Sequence, residues 1–208
     1  MPNRLSKSAI CGPPPCTTIG FIPTIFDVNC PRSLGNLIEQ NGGRPIMWKA
    51  GHAALKAKLR DTQALLAGDW NGHIIFKDRW YGFDDACYTG ARLLEILALD
   101  SRNSAEFFDD FPNNVSTHEY SSNLPEGECP AVIKQLQEHG EMLGGNHLVT
   151  LDGLRAEYKD GWGLVRAANT SSALKFRFEA DEEKALERIQ EAYRKLLTKV
   201  VPQLTIPF

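Results

Sequence analysis

The sequence predicts two domains: an α/β three-layer domain with a partial parallel or mixed sheet between helices, and then an α+β domain with an antiparallel sheet. Strand-like apolar runs alternate with helical periodicity over residues 24–99, as in parallel strands joined by right-handed crossovers. Residues 100–117 are rich in Asp, Asn and Ser and contain a proline, which indicates a linker. Beyond the linker, Leu174, Phe176 and Phe178 alternate with charged residues, as in a half-buried strand.

The first domain is predicted to begin with strands and helices in alternation. Its strands are short apolar runs at residues 24–28, 44–48, 64–67 and 74–76. Its helices carry apolar residues at helical spacing, at residues 31–40, 53–59 and 85–99. Asp84 is the predicted N-cap of the third helix. Because ligands bind beyond the carboxyl ends of parallel strands, we expect the loops after the first three strands to share one rim.

The second domain is predicted from a different order of elements. Its strands are expected at residues 118–122, 149–158, 163–167 and 173–179, with a helix at 130–138. A closing helix begins with the acidic residues 181–183, which suit the N-terminal end of a helix dipole. The predicted organisation is an irregular tail at 1–23, the α/β domain at 24–112 and the α+β domain at 113–208.

Composition describes an ordinary globular protein. Of 208 residues, 42% are hydrophobic and 24% are charged, with a net charge of −3, so no basic surplus points to nucleic acid or an anionic membrane as partner. No apolar run approaches the length of a membrane span or of a signal sequence. The five cysteines form no C-x-x-C pair, which argues against a zinc site or a disulfide framework. We predict a cytoplasmic location.

The loop after the third strand concentrates an acid, an amide and a histidine in the run Asp69-Trp70-Asn71-Gly72-His73. Asp69 and His73 are four residues apart, but that spacing makes a metal pair only on a helix, and the flanking glycines favour a loop. We therefore predict no metal site. His73 is the better proton-transfer group, because an unperturbed imidazole titrates near neutral pH.

Two further stretches carry polar chemistry. The loop from Arg166 to residue 172 combines a guanidinium, an amide, hydroxyls and free backbone N–H groups, which together can hold an anion. A polar turn whose Asn169 and Thr170 cap their own backbone remains the alternative. His52 follows the second strand, where an isolated histidine is more often a capping or packing residue than a catalyst.

Three runs in this order resemble the bacterial phosphomannomutase/phosphoglucomutase family, the α-D-phosphohexomutases. They are RPIMWKAGH at 44–52, GHIIFKDRWYGFDD at 72–85 and DGWGLVRAANT at 160–170. The resemblance extends from about residue 25 to residue 208 and corresponds to the third and fourth domains of a four-domain enzyme. It implies a protein that acts on 1-phospho and 6-phospho mannose or glucose.

The resemblance also implies roles for individual residues. The loop at 68–73 matches the family loop G-E-x-S-G-H that reads sugar hydroxyls, with Asp69, Asn71 and His73 at its functional positions. His73 matches a histidine proposed to assist proton transfer, and His52 matches another active-site histidine. The matching residues of the loop that holds the non-reacting phosphate are Arg166, Asn169 and Thr170. The family works with magnesium, a phosphoserine and a hexose bisphosphate activator.

The departures from the family pattern shape the expectation. The nucleophile motif T-A-S-H-N-P and the magnesium motif D-G-D-x-D-R do not occur in the 208 residues. Asp69, Asn71, Ala168 and Asn29 replace glutamate, serine, a phosphate-loop hydroxyl residue and lysine, and the first strand and helix of the third domain are expected to be missing. We predict a chain that binds phosphorylated hexose and, alone, neither holds a cofactor nor turns over. The alternatives are a non-catalytic module or remnant, and one subunit of a split mutase with a complementing N-terminal half.

Overall fold

The computed structural model describes residues 22–208 and divides between Pro112 and Asn113 into two compact units. The predicted tail at 1–23 lies outside the described residues, except that Ile22 and Pro23 already belong to the first strand. No helix in the described part of the chain combines the length and the apolar character needed to cross a membrane.

The first unit is a five-stranded mixed sheet with helices. Its strands are β1 (Ile22–Asp27), β2 (Gly43–Trp48), β3 (Leu66–Gly68), β4 (Ile74–Phe76) and β5 (Phe83–Asp84). Its helices are α1 (Arg32–Gln40), α2 (His52–Thr62), α3 (Ala86–Leu99) and α4 (Ser104–Phe108). The strand order is β2-β1-β3-β4-β5, with β2 and β3 parallel to β1 and the last two strands antiparallel. The predicted mixed sheet is confirmed.

The alternation of side chains along the strands produces three layers. Ile25 and Ile75 point to one face and form a buried cluster with Leu55 and Leu59 of α2. The opposite face carries Phe26, which packs with residues of α1, and Phe76, which contacts α3. The sheet therefore lies between α2 on one side and α1 and α3 on the other.

Two boundaries of the first unit differ from the prediction. Asp85, rather than Asp84, is the N-cap of α3, because its carboxylate accepts the N–H of Tyr88 at 2.9 Å. Asp84 instead accepts the N–H of Ile74. The predicted linker at 100–117 contains α4, which begins with a reciprocal capping box between Asn103 and Glu106.

The second unit is an antiparallel sheet covered by helices. Its strands are β6 (Val115–Ser116), β7 (Tyr120–Asn123), β8 (His147–Val149), β9 (Leu154–Tyr158), β10 (Gly161–Ala167) and β11 (Ala173–Ala180). Its helices are α5 (Cys129–Glu138), a short 3-10 helix (Gly140–Leu143) and α6 (Glu183–Val200). The order is β6-β11-β10-β9-β8, and β7 also pairs with β11. The predicted α+β architecture is confirmed.

The single strand predicted at 149–158 is wrong, because the segment is a hairpin. β8 ends at Val149, β9 begins at Leu154, and the turn between them places Gly153 at φ +88°. The carbonyl of Gly153 accepts a hydrogen bond from Nε2 of Gln137 on α5 at 2.7 Å, which fixes the turn against the helix.

The core of the second unit forms between the sheet and α6. Leu186, Ile189 and Leu196 are buried on the helix at the spacing that the sequence predicts. Tyr193 lies at the centre, where its hydroxyl donates to the carbonyl of Gly163 at 2.5 Å and accepts the N–H of Ala156 at 3.0 Å. This one hydroxyl therefore connects α6 to β9 and β10.

Candidate functional site

The carboxyl ends of β1, β2 and β3 bring their loops together, as the strand order predicts. The N–H of Val28 donates to the carbonyl of Trp48 at 3.0 Å, which joins the first loop to the end of β2. The N–H of Trp70 donates to the carboxylate of Asp27 at 3.3 Å, which joins the third loop to the end of β1. The rim of the first unit is therefore one connected structure.

Asp27 organises this rim, although sequence reasoning did not include it among the site residues. Its side chain is fully buried, and its oxygens accept the backbone N–H and the side-chain amide of Asn29, at 3.2 and 2.7 Å. The thiol of Cys30 donates to the same carboxylate at 3.1 Å. The sequence signal for this role was an acidic residue at the end of an apolar strand, since a carboxylate buried there must find hydrogen-bond partners.

Asp69 and His73 form a hydrogen-bonded pair across a tight turn. One carboxylate oxygen accepts the backbone N–H of His73 at 3.0 Å, and the other lies 2.8 Å from its Nδ1. Gly72 adopts φ +87° between them, a conformation that an L-residue with a side chain rarely adopts. The hydrogen bond and negative charge of Asp69 raise the pKa of His73, while partial burial opposes the shift.

The exposure of the pair shows which atoms can meet a ligand. The side chain of Asp69 is 2% exposed and that of His73 is 45% exposed. Because Nδ1 is held by Asp69, Nε2 is the ring nitrogen that remains for a ligand. Asn71, at the tip of the same loop, is exposed.

His52 lies beside this pair. It is the first residue of α2, which follows Gly51 at φ +112°, and its ring centre is 6.2 Å from that of His73. The structure thus brings His52, Asp69 and His73 to one rim with Asn71 on the same loop. Two imidazoles at this separation can act on neighbouring atoms of one polar ligand.

Arg166 stands at the end of β10, where the loop predicted to hold an anion begins. Its side chain is largely buried, and Nη1 donates to the carbonyl of Ala167 at 3.1 Å. The loop is closed by the N–H of Ala168, which donates to the carbonyl of Ala173 at 2.9 Å. Asn169 and Thr170, at the tip, are exposed.

Two charged residues near Arg166 were missed by sequence reasoning. Lys175 lies directly opposite Arg166 in the β10–β11 register, and Glu119 lies 3.1 Å from its Nζ and 3.9 Å from Nη2 of Arg166. No local pattern signals this cluster, because the register of two strands and the segment before β7 bring its members together.

The described residues do not fit a magnesium site. Within residues 22–208, no group of three or more His, Cys, Asp or Glu side chains is arranged to hold a metal ion. The oxygens of Asp27 and Asp69 at the rim already accept hydrogen bonds within the protein. Magnesium requires several oxygen ligands in octahedral geometry, which this arrangement lacks.

Two family profiles match the chain. Residues 20–115 match phosphoglucomutase/phosphomannomutase, alpha/beta/alpha domain III, and residues 121–196 match the C-terminal domain of phosphoglucomutase/phosphomannomutase. The two matches fall on the two compact units described above.

Individual proteins give the same result. The chain is 50% identical over 184 residues to a phosphomannomutase/phosphoglucomutase of Pseudomonas aeruginosa. The aligned region covers 88% of the chain and 40% of that protein. It is 47% identical over 174 residues to a phosphoglucomutase of Neisseria gonorrhoeae, covering 83% of the chain and 38% of that protein. A crystal structure of a family protein from Burkholderia thailandensis superposes with a TM-score of 0.83 at 46% identity, covering 90% of the chain and 40% of that structure.

Proposed function

Because the chain belongs to the phosphoglucomutase/phosphomannomutase family, in which it matches domain III and the C-terminal domain, we propose that it binds a phosphorylated hexose. The observation that carries the proposal is the Asp69–His73 pair, oriented at a rim that also presents His52. The chain spans 40% of the length of its Pseudomonas aeruginosa relative, so the activity of a whole mutase is a separate question.

On the sugar side, His73 and Asn71 supply the ligand contacts. The exposed imidazole offers Nε2, and its raised pKa increases the protonated fraction near neutral pH, so the ring can donate to a sugar or bridging oxygen. The amide of Asn71 can donate to and accept from hydroxyls. Asp69 orients His73, since both of its oxygens are engaged with that residue. His52 adds a second imidazole to the same rim.

On the phosphate side, Arg166, Asn169 and Thr170 form the binding loop. A guanidinium matches phosphate oxygens in a bidentate arrangement, and an amide and a hydroxyl add donors. Nε of Arg166 is buried and has no hydrogen-bond partner among the described residues, so the guanidinium keeps unused donor capacity in the structure.

We further propose that this chain alone does not interconvert hexose phosphates, and that it is a cytoplasmic phosphosugar-binding protein. Phosphoryl transfer needs a positioned nucleophile and neutralisation of charge on the transferred group. The nucleophile and magnesium motifs of the family do not occur in these 208 residues. A mutase assay with magnesium and hexose bisphosphate is expected to give the rate of the blank, and a rate above it would contradict the proposal.

Binding is tested by titrating the full chain with glucose 1-phosphate while following backbone amide NMR shifts. Saturable shifts are expected in both loops, 68–73 and 166–170. Arg166→Ala should abolish the shifts of loop 166–170, whereas Arg60→Ala, an equal charge change at an exposed position on α2, should preserve them. Absence of shifts at millimolar ligand in a folded sample would contradict phosphosugar binding and favour a remnant without function.

A second proposal is that the chain is one subunit of a split mutase. The observation that favours it is an open apolar groove on the α1 face of the first unit's sheet. Its lining includes Phe26, Leu34, Leu66 and Ile74. Leu94 on α3 is also 68% exposed. Exposed apolar surface of this kind marks interaction sites.

The partner in the second proposal is a complementing N-terminal half that carries the nucleophile and magnesium motifs. Mixing the chain with such a half is expected to produce mutase activity and a stable complex. Leu66→Asp should prevent both, and Lys195→Asp, at an exposed position in the other unit, should not. A mixture without activity or complex would overturn the split-mutase proposal and leave the sugar-binding proposal standing.

A further inference from the structure

The cluster around Arg166 contains a second cation that the family resemblance does not assign. Lys175 on β11 is directly opposite Arg166 on β10, so the two side chains leave the same face of the sheet as near neighbours. Like charges placed opposite each other destabilise a sheet pair unless an anion lies between them. The arrangement therefore calls for an anion.

In the structure this anion is the carboxylate of Glu119. One of its oxygens is 3.1 Å from Nζ of Lys175, and the other is 3.9 Å from Nη2 of Arg166. The longer of these contacts is an ion pair without hydrogen-bond geometry. The carboxylate thus neutralises two cations and leaves the guanidinium without a full set of partners among the described residues, since Nε of Arg166 has none.

We propose that Lys175 is the second cation of the phosphate subsite, and that Glu119 is an internal anion that phosphate displaces from Arg166 and Lys175. The proposal rests on the phosphate binding proposed above and deepens it. A phosphate carries more charge and more acceptor oxygens than a carboxylate, so it can bridge an ammonium and a guanidinium that one carboxylate spans only loosely. Lys175, on β11, also offers a charged donor beside the loop in which Ala168 provides no hydroxyl.

Exposure is consistent with this exchange. The side chain of Lys175 is 26% exposed and that of Glu119 is 34% exposed, whereas that of Arg166 is 9% exposed. Arg166 is therefore the fixed part of the subsite. Lys175 and Glu119 are open to solvent, so a ligand can reach them and the carboxylate of Glu119 can move away.

The test measures dissociation constants of inorganic phosphate and of glucose 1-phosphate by NMR titration of the full chain. Lys175→Gln is expected to weaken phosphate binding about tenfold, the value of one charge-assisted hydrogen bond. Glu119→Gln is expected to tighten it by about the same factor, because the internal competitor is gone. Lys195→Gln, at an exposed lysine on α6, removes the same charge and should change the constant less than twofold, a bound that follows from solvent screening.

The outcomes separate this inference from the proposed function. If Arg166→Ala abolishes binding but Lys175→Gln behaves like Lys195→Gln, phosphosugar binding stands and the role of Lys175 is overturned. If Glu119→Gln weakens binding, Glu119 positions Arg166 and the displacement idea is wrong. If inorganic phosphate responds as expected but glucose 1-phosphate binds no more tightly, the subsite is supported and sugar recognition fails. If no variant binds either probe, both proposals fail.

Discussion

Replacing Gly153 by alanine is expected to destabilise the second unit and displace the start of the 166–172 loop. Gly153 occupies the β8–β9 turn at φ +88°, against the neighbouring strand β10. A Cβ at this position would lie 2.2 Å from the carbonyl oxygen of Val165 and 2.6 Å from Cβ of Arg166. Neither atom is the free end of a flexible side chain, so the strand itself must move.

Two contributions set the loss of unfolding free energy: the strain of a left-handed alanine and the overpacking by its Cβ. A second glycine, at which only the first contribution applies, separates them. Gly144, at the end of the 3-10 helix, has φ +65° and no atom within 4 Å of a built Cβ. A left-handed alanine costs roughly 1–2 kcal/mol at either position. Overpacking adds about 1–3 kcal/mol at Gly153 alone. We expect the free energy of unfolding to fall by about 1–2 kcal/mol for Gly144→Ala and by about 2–5 kcal/mol for Gly153→Ala.

Native-state amide exchange in β9 and β10 measures these changes in the second unit without interference from the first. Gly153→Ala should also shift the amide resonances of Arg166 and Ala167, while Gly144→Ala should leave them in place. If the two variants differ by less than about 0.5 kcal/mol, the ordinary scatter of surface substitutions, the predicted contact between the turn and β10 is wrong.

Three further results are expected. Asp69→Asn should lower the pKa of His73 in an NMR titration, because the hydrogen bond and charge of Asp69 are the main causes of the raised pKa. Asp84→Asn removes only a minor electrostatic cause and should lower this pKa less. Equal effects of the two variants would contradict the assignment. Tyr193→Phe should reduce the free energy of unfolding in urea by about 1–3 kcal/mol by leaving buried partners of its hydroxyl unpaired, and a loss near zero would refute that role. Burial raises the pKa of Tyr158 to about 12, so the contribution of its neutral hydroxyl to the free energy of unfolding is complete below about pH 10 and is lost as the pH rises through 12. The free energy of unfolding of Tyr158→Phe should therefore fall less steeply over this pH range. An unchanged pH profile would contradict the prediction.

Periodicity was sufficient to predict the layers of the fold but not every turn and short helix. In buried strands such as β1 and amphipathic helices such as α6, the hydrophobic pattern lies within the segment itself, so the type of element was predicted correctly. The hairpin at 150–153 was missed because Leu151 continues the apolar run, although the Asp-Gly dipeptide that follows is a turn signal. Helix α4 was missed because five residues are too few to show helical periodicity, although the pattern N-x-x-E indicates a capping box at its start.

The site was predictable where the topology forces its members together. Parallel strands place the loops that carry His52 and His73 at one edge of the sheet, and in the structure the two rings lie 6.2 Å apart. Glu119 and Lys175 belong to a different class, because their contact depends on strand register and on the path of the chain before β7. A one-residue shift of register would move every side chain to the other face, and the sequence gives no local indication of the register chosen.

The replacement of the family's glutamate by Asp69 then acquires a physical meaning. The shorter side chain reaches back to the N–H and the ring of His73, and it is 2% exposed, so it is withdrawn from any sugar. If the longer side chain of the family contacts a hydroxyl, its loss removes about 1.5–3 kcal/mol of binding, which is roughly 10–100-fold in the dissociation constant. The contact of Asp69 with Nδ1 of His73 orients the imidazole. We therefore expect the loop to keep an oriented imidazole at reduced affinity, so the proposed binding of phosphosugar through His73 and Asn71 should be weak.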